Sequence, residues 1–170
     1  MSKRDKKDLL TFLKPFPEDI KNLALRLRAF VWDLYPDCNE LIYDNYNALA
    51  IGWSPTEKLG HTFCSIAVGR SSFNVHFGFY WGSQLADPKK ILLGEGNQYR
   101  YILVRSWEEF PKAYITSLMK SAYENSMKKV KDRKLLVSGL TVTKSVSPVK
   151  RATGRKKGIT PRPSKRMGNG

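Results

Sequence analysis

The nine residues FNVHFGFYW (Phe73–Trp81) alternate so regularly that they constrain the fold more than any other stretch of the chain. At a period of two, Phe73, Val75, Phe77, Phe79 and Trp81 share one face, and Asn74, His76, Gly78 and Tyr80 share the other. A strand carrying so many large apolar groups on one side must be covered there, and helices are the available cover. After Pro17, the residues Ile20, Leu23, Ala24, Leu27, Val31 and Leu34 recur at three-and-four spacing, an amphipathic helix that Pro36 closes. Towards the other end, Phe110, Tyr114, Leu118 and Ala122 repeat every four residues within SWEEFPKAYITSLMKSAYENSMKKVKDR, which predicts a closing helix. Ser106 and Glu109 there have capping-box spacing, and Pro111 lies near enough to the start to be tolerated.

Other runs fill in the order. DLLTFLKPFP predicts an apolar turn or short helix stopped near Pro15. ELIYDNYNALAIGW and HTFCSIAVG read as strands, and the GRSS loop suits a hairpin between HTFCSIAVG and FNVHFGFYW. In WGSQLADPKKILLGEGNQYRYI the two glycines around Glu95 invite comparison with a phosphate cradle. A dinucleotide fingerprint, however, runs strand, glycine turn, helix. Here Asp87 and Pro88 open a short helix over 89–93, Gly94 ends it, and Tyr99, Tyr101 and Leu103 alternate with Arg100, Ile102 and Val104 as a strand. The expected order is therefore helix, three strands, short helix, strand, helix. Short links favour antiparallel pairing, so the expected class is α+β: a two-layer sandwich of an antiparallel sheet with two helices packed on one face.

Charge and aromaticity divide the chain at nearly the same place. All twenty aromatic residues lie at or before Tyr123. Residues 1–127 hold 16 Lys and Arg against 14 Asp and Glu, whereas residues 128–170 hold 14 against one, Asp132. The basicity thus belongs to the C-terminal segment. From about Ser138 that segment is rich in Gly, Pro, Ser and Thr and has no sustained apolar period. Such a composition buries too little apolar surface to offset backbone ordering at roughly 1–2 kcal/mol per residue. The expected division is a charged segment over 1–14, an α/β domain over 15–130 and a disordered basic tail over 131–170.

That tail is the clearest physical signal of function. Lys144, Lys150, Arg151, Arg155, Lys156, Lys157, Arg162, Lys165 and Arg166 occur between Gly139 and Gly170 with no acid among them. A segment of this kind neutralises phosphates and releases counterions, so it points to DNA or RNA bound without sequence specificity. Two cysteines are too few for a disulfide framework, and the start MSKRDKKDLL has no long apolar run, so the expected setting is reducing and cytoplasmic, with no membrane span. No glycine elbow or triad spacing marks a nucleophile, and His61 and Cys64 are spaced to point to opposite faces of a strand, so neither catalysis nor zinc is expected.

The passages LIYDNYNALAIGW and FNVHFGFYWGSQLADPKKILLGEGNQYRYILVRS together resemble the YdhG-like bacterial domain family, a family long labelled as of unknown function. The resemblance is carried by Tyr43, Tyr46, Phe77 to Trp81, Gly82, Leu85, Asp87, Pro88, Leu92, Leu93, Gly94, Gly96, Arg100, Ile102 and Val104. It covers about residues 15–125 and excludes the tail. It implies a frataxin-like sandwich, no established catalytic residue and, from some relatives, iron delivery as an alternative function. Labile iron(II) favours carboxylate oxygens. The densest acidic group that suits it is Asp33, Asp37, Glu40 and Asp44. A small ligand would instead be expected on the sheet face away from the helices, lined by Asn45, Asn47, His76, Tyr80 and Arg100.

Overall fold

The computed structural model describes residues 5–152. Three helices, α1 (Lys7–Leu13), α2 (Glu18–Leu34) and α3 (Lys112–Lys129), accompany six strands: β1 (Asn39–Asp44), β2 (Ala48–Ser54), β3 (Cys64–Gly69), β4 (Val75–Phe79), β5 (Arg100–Val104) and β6 (Thr141–Val146). The strands form one sheet in the order β5-β4-β3-β2-β1-β6. All neighbours are antiparallel except β6, which runs parallel to β1. The class is α+β, as expected, but the sheet is mixed and three helices, not two, contribute to the core beside it.

The helix boundaries follow from local chemistry. Pro17 supplies a fixed φ just before α2, and Glu18 and Asp19 place negative charge on its first turn, where the helix dipole favours it. Tyr35 leaves the helical region because the residue before Pro36 is sterically pushed out of it. Ser106 Oγ does accept from the Glu109 backbone N–H at 3.3 Å, but this closes a separate turn, and α3 starts only at Lys112, after Pro111. Lys128 and Lys129 lie in the last turn of α3, the end at which cations are favoured.

The strand registers resolve the two faces of the sheet. Ile42, Ile51, Ile66, Phe77 and Ile102 stand side by side across five strands and are all buried. With the flanking rows they pack against Leu23, Leu27 and Val31 of α2, Ile115, Leu118 and Met119 of α3, and Leu9 and Leu13 of α1. Edge-on aromatic contacts tie Phe30 to Phe77 and to Phe110, at ring separations of 6.5 and 5.2 Å. The alternation read in Phe73–Trp81 holds over Val75–Phe79. It stops at each end because Phe73 and Trp81 take positive φ, 55° and 59°.

Several expectations are corrected. ELIYDNYNALAIGW is not one strand but a hairpin, β1 and β2, turning at Asn45–Asn47. Residues 89–93 form no helix. Asp87 instead accepts from the Leu92 backbone N–H at 2.8 Å and from the Tyr114 hydroxyl at 2.5 Å, and Leu93 bridges to Tyr101. The folded unit exceeds 15–130 at both ends. Leu9 and Leu13 belong to the core, and Thr141–Val146 of the supposed tail is the sixth strand. The physical reason is an open edge at β1: backbone groups there gain partners from β6, so a segment of low apolar content is ordered by ladder hydrogen bonds. No helix among the described residues is long and apolar enough to cross a membrane.

Candidate functional site

The sheet face turned away from the helices carries an aromatic layer. Tyr43, Ala50, Ala67, His76 and Leu103 stand in one row across β1 to β5. Leu41, Gly52, Ser65, Gly78 and Tyr101 form the next. His76 and Tyr101 stack at 4.2 Å with their rings 3° from parallel. Tyr99 stacks on Tyr101 at 5.7 Å, and Tyr80 meets Tyr99 edge-on at 5.9 Å. Leu41 is fully buried although it stands outside the helix-side core, so this face has a thin packed layer of its own.

Small residues make that layer possible. A methyl group on Gly78 would overlap the Tyr99 ring, so the glycine gives the tyrosine its seat on the sheet. Gly52 similarly leaves room for Thr62, whose Cγ2 would lie 3.0 Å from an added methyl. Burial pushes the Tyr99 phenol up to about 12, and the Ser65 hydroxyl hydrogen-bonded to it offsets part of the rise. Tyr43 and Tyr80 are also raised by burial, Tyr43 further by its proximity to Tyr80. His76 is lowered by burial, which favours the neutral imidazole. Tyr43 Oη is buried and has no hydrogen-bond partner among the described residues.

Of the five residues expected on this face, His76 and Tyr80 are there. Arg100 is not: it pairs with Phe79 and lies in a helix-side row, and its guanidinium donates to the carbonyls of Gly96 and Tyr99. Asn45 and Asn47 sit in the β1–β2 turn, where their carbonyls accept from Arg70: the Asn45 carbonyl from Nε and the Asn47 carbonyl from the backbone N–H. They shape the turn that holds Arg70. Tyr43, Tyr99 and Tyr101 also stand on this face, and the period-two spacing of Tyr99 and Tyr101 already puts those two on one side of a strand.

The four acidic residues do not converge. Glu40 and Asp44 point to the helix side of β1, flanking Ile42, and each is already neutralised, Glu40 by Arg28 and Asp44 by Arg70 and Lys150. Glu40 accepts from Arg28 Nε at 2.5 Å and Nη2 at 2.9 Å, from Trp32 Nε1 at 3.3 Å and from Thr141 Oγ1 at 3.1 Å. Asp44 pairs with Arg70 and, at 2.9 Å, with Lys150. Asp33 and Asp37 are exposed, the latter accepting from Ser138 Oγ at 3.4 Å. Among the described residues no three His, Cys, Asp or Glu side chains come together as a metal site. Cys38 and Cys64 are both buried free thiols.

Of the nine tail cations, Lys144, Lys150 and Arg151 are described. Lys144 is exposed on β6. Lys150 is held by Asp44, also donating to its carbonyl at 2.5 Å, and the Arg151 backbone N–H donates to the Tyr46 carbonyl at 2.9 Å. Arg155, Lys156, Lys157, Arg162, Lys165 and Arg166 lie outside the described residues. Comparison with family models, curated proteins and solved structures finds no match for the chain.

Proposed function

We propose that this chain is a non-enzymatic nucleic-acid-binding module: a YdhG-like α+β domain, in the sense of its motif residues, that carries a basic arm at its C-terminal end. The carrying observation is the segregation of charge. Residues 153–170 contain six cations and no acid, and they follow directly on a segment fixed to the domain. That fixation supports the reading, because β6, Lys150 and Arg151 tie the base of the arm to the β1–β2 hairpin. Lys150 is already satisfied by Asp44 and drops out of the count of free cations. Six arm cations, with Lys144 and Arg151 beside them, correspond to a log–log salt slope of about −5 to −7 on duplex DNA.

The test is fluorescence anisotropy on a short labelled duplex across a salt series, using the full chain and a full-length variant with the six arm cations replaced by Gln. The expected result is a steep slope for the first and loss of binding for the second. Equal binding by both at physiological salt refutes the proposal. Cutting the chain at residue 130 is the wrong control, because it removes β6 and strips Thr141 from Glu40 and Lys150 from Asp44.

A further inference from the structure

A cleft of about 300 Å³ opens beside the outer edge of β5, the last strand of the sheet on that side. Its floor is apolar: Ile102, Val104 and Phe110 are buried core residues, and Ile91 packs against the core from the segment before β5. The cleft exists because a ladder stops early. Leu93 and Tyr101 exchange both backbone hydrogen bonds, at 2.7 and 3.1 Å, but their bridge is isolated. Two residues on, Leu103 turns its N–H and C=O the same way, and no backbone partner among the described residues meets them there. The rim carries Arg105 and Glu109, both exposed. A turn sets one against the other: Ser106 Oγ accepts from the Glu109 backbone N–H at 3.3 Å, and the Phe110 N–H donates to the Trp107 carbonyl at 3.3 Å. The charges around them are engaged elsewhere. Glu108 pairs with Arg26 at 3.9 Å, and Lys112 Nζ donates to the Trp107 carbonyl at 3.1 Å and lies over the Trp107 ring. Among the described residues Arg105 and Glu109 form no ion pair, either with those groups or with each other.

We infer that this cleft binds a free α-amino acid with an apolar side chain, its carboxylate at Arg105, its ammonium at Glu109 and its side chain on the floor. The site is independent of the proposed nucleic-acid function and uses none of the same residues. Charge selects the occupant first. An anion alone would meet the Glu109 carboxylate and a cation alone the Arg105 guanidinium, whereas a zwitterion satisfies both through charge-assisted hydrogen bonds. The floor then selects the side chain, because it offers apolar surface and no polar side chain to compensate a buried polar group. Size narrows the class further: the cleft stands at the low end of small-molecule sites, which suits one small metabolite. At the same edge the Leu103 N–H can donate to the carboxylate and the Leu103 C=O can accept from the ammonium. An extended peptide added as a strand fits less well, since Leu93 already fills the lane beside Tyr101.

The test is an amide-resolved NMR titration of the full chain with L-leucine, repeated with leucinamide, which lacks the carboxylate, N-acetyl-leucine, which lacks the ammonium, and glycine, which lacks the side chain. Arg105→Gln and Glu109→Gln are titrated in the same way. Both positions are exposed, so the substitutions leave the core untouched. Expected are saturable shifts with L-leucine at residues 102–105 and 109–111, and a loss of about tenfold or more in affinity for each analogue and for each variant. The losses should also be specific. Arg105→Gln should no longer prefer leucine to leucinamide, and Glu109→Gln should no longer prefer leucine to N-acetyl-leucine. The absence of saturable shifts up to about 20 mM L-leucine, well above a millimolar dissociation constant, overturns the inference. So do shifts confined to other parts of the chain, or analogues and variants that bind as tightly as leucine and the unaltered protein. Cleft shifts with the tripeptide Gly-Leu-Gly and none with leucine overturn it in favour of an extended peptide.

Discussion

Arg28→Ala tests how α2 is fastened to the sheet. Glu40 is fully buried in a helix-side row, and its carboxylate is neutralised by the Arg28 guanidinium through two hydrogen bonds of 2.5 and 2.9 Å. Trp32 and Thr141 donate to the same two oxygens but carry no charge. Removing Arg28 therefore leaves a negative charge in a low-dielectric site with two neutral donors. Breaking one partner of a buried pair costs about 3–5 kcal/mol. With a urea m-value of about 2 kcal/mol/M, that lowers the unfolding midpoint by about 2 M. Circular dichroism during urea titration reads the shift. Arg28→Met/Glu40→Met, which removes both charges, is expected to lose less than Arg28→Ala, although Trp32 and Thr141 then each forfeit a hydrogen bond worth about 1 kcal/mol. A loss below about 1 kcal/mol for Arg28→Ala refutes the reasoning, since that is the range of a solvated surface pair.

Three other outcomes follow from particular contacts. Gly78→Ala displaces the Tyr99 ring and costs about 1–3 kcal/mol; in urea titrations, adding Tyr99→Ala should then cost less than it does in the unaltered chain. The Cys38 thiol is pushed up to about 12, by burial and then by Asp37, and Cys64 is raised well above its ordinary value by burial and then by Cys38. At pH 8 neither thiol should react with a disulfide reagent until the chain unfolds, when both should. His61 and His76 are both lowered by burial, so the unfolded chain binds their protons at higher pH than the folded one. Their contribution to stability is full above about pH 6.5 and is lost as pH falls through the folded values; thermal melts should show Tm falling from pH 7 to pH 5, less steeply in His76→Asn.

What the sequence disclosed depended on whether a position obeyed one dominant rule. α2, α3 and β4 were legible because apolar periodicity and proline punctuation agreed. The β1–β2 turn was not, since Asp44 to Asn47 has no glycine and its geometry is enforced from outside by Arg70. The short helix over 89–93 had acceptable local signals, but Asp87 is held by Tyr114 on α3, a contact no local pattern contains. Partial desolvation raises the Asp87 carboxyl, yet the hydrogen bonds from Tyr114 and the backbone of residues 90–92 outweigh it and bring it below the usual range. Charge alone marks Glu40 and Asp44 as candidate metal ligands. Their spacing around Ile42 already placed them on its buried face, where a carboxylate must find a cation. His76 and Tyr80 were correctly assigned to the outer face because strand parity needs no tertiary information. Arg100 shares its parity with Ile102 and Val104, which puts it on the helix side and not on the outer face expected for it.

The same two carboxylates explain why composition hid β6. A strand at an edge needs little apolar surface if its polar contacts reach groups that are already buried. Thr141 donates to Glu40, Lys150 pairs with Asp44, and Asn39, fully buried, accepts from the Leu140 N–H at 3.0 Å and donates to the Val137 carbonyl at 2.8 Å. These bonds depend on the core that orders Asn39, Glu40 and Asp44, so the strand has no stability of its own to display in its sequence. The dependence runs in both directions. Without β6 and the residues 137–140 that lead into it, Asn39 and Glu40 lose partners inside the domain, so the base of the basic arm is coupled to the packing of α2 on β1.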